Sequence, residues 1–235
     1  MPSTYSLLTP VIAAMNGTIL IKSVTTNSPG NYTLEICDSK WLTQGFELTI
    51  QTKTYKVVSF EPNLSITITG DLIAPIKGSF VLYPPKFYHG TVKSTEEELN
   101  KKINSKLLTV DRLPMIWLKE TVDEQMIMDQ IKATGMNSDA ELYFMIDSNF
   151  AAWTNDDHFK YAITPMRQMF DCFITAIKET KYINDDLIKI ANMNDYSRWG
   201  TTIKDGNSKQ IFNIQMSGVR ASMILPFIKQ DKYCC

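Results

Sequence analysis

Hydrophobic and polar positions change period once along this chain, near residue 90. Residues 17–83 hold six short runs, GTILIKSVTT, NYTLEICD, FELTIQ, TYKVVSF, LSITITG and GSFVLY, rich in β-branched and aromatic residues and separated by the breaks NSPG, QG, EPN and GD. Such runs between turn residues predict strands. In SITITG the alternation is strict, with Ile66 and Ile68 on one face and Ser65, Thr67 and Thr69 on the other. Strands at this spacing with no helical period among them predict a small β-barrel or sandwich over residues 1–90.

The second half, residues 91–235, reads as α+β. Ser94 followed by Glu97 has capping-box spacing, and Leu99, Ile103 and Leu107 then mark one face of a short helix. PMIWLKE and AELYFMID predict strands; in the latter Leu142, Phe144 and Ile146 point one way and Tyr143, Met145 and Asp147 the other. Residues 156–180 predict a helix, because Phe159, Ile163, Met166, Met169, Phe170, Phe173 and Ile177 recur at intervals of mostly three and four. Pro165 sits inside that stripe, which predicts a kink or a second helix capped by Thr164. KQIFNIQMSGVRASMILPF predicts one long closing strand, bent by a glycine bulge at Gly218 where the alternation shifts by one. The architecture expected is thus a small barrel or sandwich, then a mixed or antiparallel sheet packed by a long helix. Tyr83 to Gly90, with Pro84 and Pro85, is the expected junction. Segments 121–139 and 181–210 are expected to be long loops.

Composition narrows the function classes. The 235 residues are 44% hydrophobic and 21% charged, and no apolar run approaches the ~20 residues of a bilayer span. The opening MPSTYSLLTPVIAAM carries no basic head and two prolines, unlike a secretory signal, so a cytosolic product is expected. Cys37 and Cys172 lie in apolar segments as small hydrophobes, and the terminal Cys234–Cys235 pair reads as a frayed tail. A net charge of −1 lacks the basic footprint of a phosphate-gripping protein.

The candidate chemistry is sparse. Asp156, Asp157 and His158 form the one acid–histidine cluster, open to reading as a metal-dependent hydrolase or ligand-binding site. The competing expectation is a charged first helical turn, with the acids offsetting exposed amides and His158 as an ordinary helix residue. His89 is the other histidine. No catalytic residue, cofactor site or metal ligand is assigned, since nucleophile-elbow, phosphate-loop and paired-cysteine spacings are missing from the sequence. Arg198, Trp199, Trp153 and Trp117 are the candidate interface residues, of types enriched at binding hot spots.

The order of elements in residues 91–235 resembles the tail-terminator family of tailed bacteriophages, the lambda type in particular. The likeness is carried by a helix, the proline-led strand LPMIWLKE, the strand and acidic helix start AELYFMIDSNFAAWTNDDHF, the helix ITPMRQMF, and a closing strand after YSRWGTTIKDG. It is similar also to head-to-tail connector proteins of phages infecting gut Bacteroidetes. The stretch FELTIQTKTYKVVSFEPNLSITITG resembles the small β-barrels of phage stopper and adaptor proteins. The resemblance implies a non-catalytic structural ring in the neck or tail of the virion, made in the host cytoplasm. It implies as partners further copies, portal or tail rings, and double-stranded DNA passing through without sequence-specific binding.

Overall fold

The computed structural model describes residues 3–70, 78–104, 114–119, 122–129, 132–181, 183–199, 201–204, 207–210 and 215–228. Its fold is α+β, a nearly closed barrel-like sheet followed by a second, mixed sheet. Helix α1 (Thr4–Ala13) opens the chain, a helix absent from the sequence reading because Pro10 and few charges obscure its period. Strands β1 (Thr18–Ser28), β2 (Asn31–Ile36), β3 (Glu47–Ile50), β4 (Lys53–Glu61), β5 (Ser65–Thr69) and β6 (Ser79–Val81) form the barrel sheet in the order β3-β4-β5-β2-β1-β6. Each inward residue matches the period-two pattern: Leu34, Ile36, Ile66 and Ile68 are buried and their neighbours are not. At the start of the β1–β6 pair, backbones approach so tightly that a Cβ on Gly17 would lie 2.5 Å from the Leu82 carbonyl oxygen.

The chain changes sheets across Pro84 and Pro85. Strand β7 (Lys86–Gly90) already belongs to the second sheet, pairing in parallel with β8 (Met115–Lys119). Strands β9 (Asp123–Asp129) and β10 (Lys132–Asp147) make a hairpin, and β11 (Lys189–Trp199), β12 (Thr201–Lys204), β13 (Asn207–Gln210) and β14 (Met216–Ile228) follow the helical segment. The sheet order is β11-β14-β10-β8-β7, with β9 alongside β10 and the β12–β13 hairpin separate. Residues 121–139 and 181–210 are therefore largely strands and not the expected loops. Their polar sequences take up extended structure through pairing: β9 with β10, and β11 with β14.

Helix α2 (Val92–Asn104) starts earlier than expected: Thr91 Oγ1 accepts the Ser94 amide at 3.1 Å, so Thr91 caps the helix instead of Ser94. Leu99 is buried, while the expected contacts of Ile103 and Leu107 lie outside the described residues. The central helical segment is α3 (Asn155–His158), a π turn (Phe159–Ile163) and α4 (Thr164–Lys178). Thr164 is itself helical and caps nothing; Pro165, in the first turn of α4, is accommodated by the preceding π turn. The apolar stripe packs as expected except at its first member. Phe159 is 51% exposed, because the wider π turn moves it off the face shared by Met166, Met169, Phe170 and Phe173.

Both faces of β10 are covered. Leu142, Phe144 and Ile146 join the main core beneath α4, and Tyr143 and Met145 join a smaller core with Tyr88, Leu99, Met115 and Trp117. Strand β14 runs in unbroken register with β10 from Gly135↔Ile228 to Asp147↔Met216, so Gly218 makes no bulge in that pair. Its role is close approach, since a Cβ there would fall 2.0 Å from the Phe144 carbonyl oxygen. The alternation shifts because residues 216–219 are buried on both faces. The segment expected to lead into this strand, residues 211–214, is outside the described residues, as are Cys234 and Cys235. Cys37 is exposed and not the small core hydrophobe expected, because it ends the barrel strand; Cys172 is half-buried.

Barrel and second sheet share one continuous core. The helical segment forms the joint. Pro165 lacks an N–H, so the Tyr161 carbonyl four residues earlier loses its helical donor and accepts the Thr43 hydroxyl of the barrel instead. Gln168 Nε2 donates to Asn63 Oδ1 at 2.7 Å, Ser39 Oγ to Gln168 Oε1 at 2.9 Å, and Lys160 pairs with Glu61.

Candidate functional site

Asp156, Asp157 and His158 open the helical segment, but the fold does not make them converge. Thr154 is the N-cap. Its backbone amide and hydroxyl donate to Asp157 Oδ2 at 2.9 and 2.8 Å, and the Asp157 amide returns a bond to Thr154 Oγ1 at 3.2 Å. These bonds hold the Asp157 carboxyl below the usual carboxylate range. Asp156 is exposed. His158 turns inward and is fully buried, so it is not the ordinary helix residue expected. Among the described residues no group of three or more His, Cys, Asp or Glu is placed to hold a metal ion.

His158 sits between elements. Its Nδ1 is 3.0 Å from Ser217 Oγ on β14, and the Ser217 hydroxyl donates onward to the Ser197 carbonyl on β11. With the serine proton so committed, Ser217 Oγ accepts and His158 Nδ1–H donates, which assigns the tautomer. Nε2 is then an acceptor, buried and without a partner among the described residues. The rings of Phe150 and Trp153 meet the imidazole edge-on at 5.7 and 5.4 Å. Burial, helped by the Arg198 charge and opposed by Asp157, lowers the His158 pKa from its ordinary value. The result is a neutral imidazole that cross-links α3, β14 and β11.

The candidate interface residues separate on inspection. Trp117 is fully buried and has no surface to offer; its Nε1 donates to the Gly90 carbonyl at 3.0 Å and its ring stacks on Tyr143 at 4.7 Å. Trp199 packs edge-on against both rings at 5.8 and 5.6 Å and closes the smaller core. Trp153 is half-buried against His158 and Tyr161. Arg198 alone is exposed, its guanidinium 5.7 Å over the Phe150 ring. Tryptophans at strand positions with both faces covered become core anchors, and composition alone does not distinguish that from an interface.

A charged network on β8, β10 and β14 is legible only in three dimensions. Glu141 lies 2.6 Å from Lys119 Nζ and 2.5 Å from Arg220 Nε, and accepts from the Tyr143 hydroxyl at 3.1 Å. Burial works to raise the Glu141 carboxyl, but Lys119, Arg220 and Tyr143 together hold it below its ordinary value. Burial and the Glu141 charge push the Tyr143 hydroxyl far up. Both groups are thus held in one protonation state around neutral pH, which suits them to fixing strand register more than to proton transfer. The alternation of Glu141 and Tyr143 along β10 was the available signal.

Among the described residues, the most exposed apolar surface in the second sheet is on the β9–β10 hairpin. Met126, Ile127 and Met128 are 60%, 43% and 55% exposed on a strand that pairs, among the described residues, with β10 only. Met126 and Met128 lie on the core face of the sheet, on its outer strand. Ile127 lies on the other face, draped over Gly135 in a row that continues to exposed Ile228. The N-terminus of α1 braces the start of this strand, with the Thr4 amide and hydroxyl donating to Glu124 Oε1 at 2.8 and 2.6 Å. Across the sheet, β11 pairs with β14 only among the described residues, and exposes Ile190. Sequence reading passed over the Met-Ile-Met run because its flanks, Asp-Glu-Gln and Asp-Gln, read as loop.

Comparison with protein-family models, with curated proteins and with solved structures finds no match for the chain. The fold defines the class by itself: a barrel and a mixed sheet joined on a shared helical segment, with apolar strand edge left in solvent.

Proposed function

We propose that this chain is a structural subunit of a ring in the neck or tail of a tailed bacteriophage, acting through surfaces and not through catalysis. The observation that carries the reading is the β9–β10 hairpin, apolar on both faces and unpaired at its outer edge among the described residues. A protein that worked alone would leave such an edge as an aggregation template, whereas a subunit covers it in the assembly. The hydrogen-bonded joint through Thr43, Ser39, Asn63 and the helical segment supports the same reading, because a ring subunit under mechanical stress needs its barrel and second sheet fixed to each other. The sequence resemblance of residues 91–235 to tail terminators supplies the phage context. A near-neutral chain, net −1, would let DNA pass without gripping it.

The reading is tested by mass spectrometry and negative-stain electron microscopy of purified phage particles. The chain is expected among the virion proteins, in multiple copies at the head–tail joint or along the tail. Particles that infect normally and lack it would end the proposal.

A further inference from the structure

We infer that neighbouring copies of this chain join head-to-tail by antiparallel pairing of β9 of one copy with β11 of the next. The inference rests on the ring reading only for its biological setting, since the argument for the contact is made from the edges themselves.

Strand direction comes first. β9 is antiparallel to β10, β10 to β14, and β14 to β11, so the two outer strands of this four-strand unit run in opposite directions. A second copy in the same orientation, shifted along the strands so that its β11 clears the β7 already paired with β8, brings β11 antiparallel to β9, and backbone amides and carbonyls that face outward at both edges find partners.

Charge selects this pairing over the twofold alternative. The β9 sequence DEQMIMD holds three acids and no base, so two β9 edges brought together would oppose like charges. The β11 sequence KIANMNDYSRW holds Lys189 and Arg198 against Asp195, and the Asp195 carboxylate is already paired with Arg167 of α4 at 2.6 Å. An acidic edge thus meets a basic one. Apolar surface agrees, since Met126 and Met128 on one side and Ile190 on the other are all about half exposed or more, at 60%, 55% and 48%.

The contact joins two different surfaces, so repetition gives a closed ring or an open helix according to the rotation between copies. β9 lies beside residues 132–139 of β10, whereas β11 lies beside residues 216–224 of β14, which face residues 139–147 of β10. The two edges are offset along the long strands, so in a closed assembly the strands are inclined to the ring axis, as closure of a sheet requires.

The test uses the full chain, mixing ¹⁴N- and ¹⁵N-labelled protein, coupling carboxylates to amines with a carbodiimide, and mapping mixed-isotope cross-links by mass spectrometry. Antiparallel overlap sets the end of β9 beside the start of β11, so cross-links between β9 carboxylates, Asp129 first, and Lys189 are expected, with yield rising with concentration. Met126→Lys with Met128→Lys is expected to cut that yield at least tenfold while the circular dichroism spectrum is kept, and Leu64→Lys on the barrel to leave it unchanged. Mixed-isotope cross-links centred on other surfaces, or none up to the solubility limit, would overturn the pairing. Its failure is separable from failure of the ring reading: a chain found in particles but cross-linked elsewhere loses only the edge contact, and β9–β11 cross-links in a chain missing from particles lose only the phage assignment.

Discussion

Met126 and Met136 face each other directly across β9 and β10, yet Met126 is 60% exposed and Met136 is 1% exposed. The same residue type on the same face of one sheet is core at one position and surface at the other, because β10 lies between β9 and β14 whereas β9 lies at the edge. Truncating Met136→Ala is expected to cost about 2–5 kcal/mol, and Met126→Ala to stay within about 0.5 kcal/mol. Urea unfolding of the two variants measures the difference.

Phe173 and Phe159 make a second contrasting pair. Phe173 is fully buried, edge-on to Phe144 at 5.5 Å, and Phe173→Ala is expected to cost roughly 3–5 kcal/mol. Phe159→Ala, on the π turn and half exposed, is expected to change stability by less than about 1 kcal/mol. Equal losses from the two would mean that the π turn does not displace Phe159.

Thr43→Val keeps the shape of the side chain and removes the donor to the Tyr161 carbonyl. The variant is expected to lose about 1–3 kcal/mol, the cost of a buried acceptor left without its partner. Thermal unfolding followed separately by barrel and helix probes would show whether the joint loosens before either body melts.

His158 sets a pH dependence. Its pKa is lowered in the folded chain by burial first and by Arg198 second, so on acidification the unfolded chain takes up a proton that the folded chain resists. The stabilisation is full above the unfolded value, near 6.5, and is lost as pH falls through the folded value, with a slope of at most about 1.4 kcal/mol per pH unit. His158→Phe is expected to flatten the stability profile below that point, measured by urea unfolding across pH.

Gly218→Ala places a Cβ 2.0 Å from the Phe144 carbonyl oxygen in the centre of the β10–β14 pair. A loss of at least about 3 kcal/mol is expected, at the upper end of overpacking effects. Soluble, native-like G218A protein of unchanged melting temperature would rule out the close approach.

Local pattern determined much of this protein. The barrel strands follow from period-two alternation, the α4 stripe from three-and-four spacing, and the two faces of Leu142–Ile146 from strand geometry, since each depends on neighbours a few residues away. The charged first turn at Asp156 and Asp157 was legible for the same reason, because a cap is a local contact. Tertiary structure decided what distant partners supply. His158 became a buried link only because Ser217, fifty-nine residues later, lies beside it, and Trp117 became core because α2 and Trp199 cover it. β9 and β11 became strands because β10 and β14 offered edges to pair with. The exposed Met126–Ile127–Met128 edge shows the same rule from the other side: its alternation is too weak to announce a strand, and its place at the outside of the sheet leaves it in solvent.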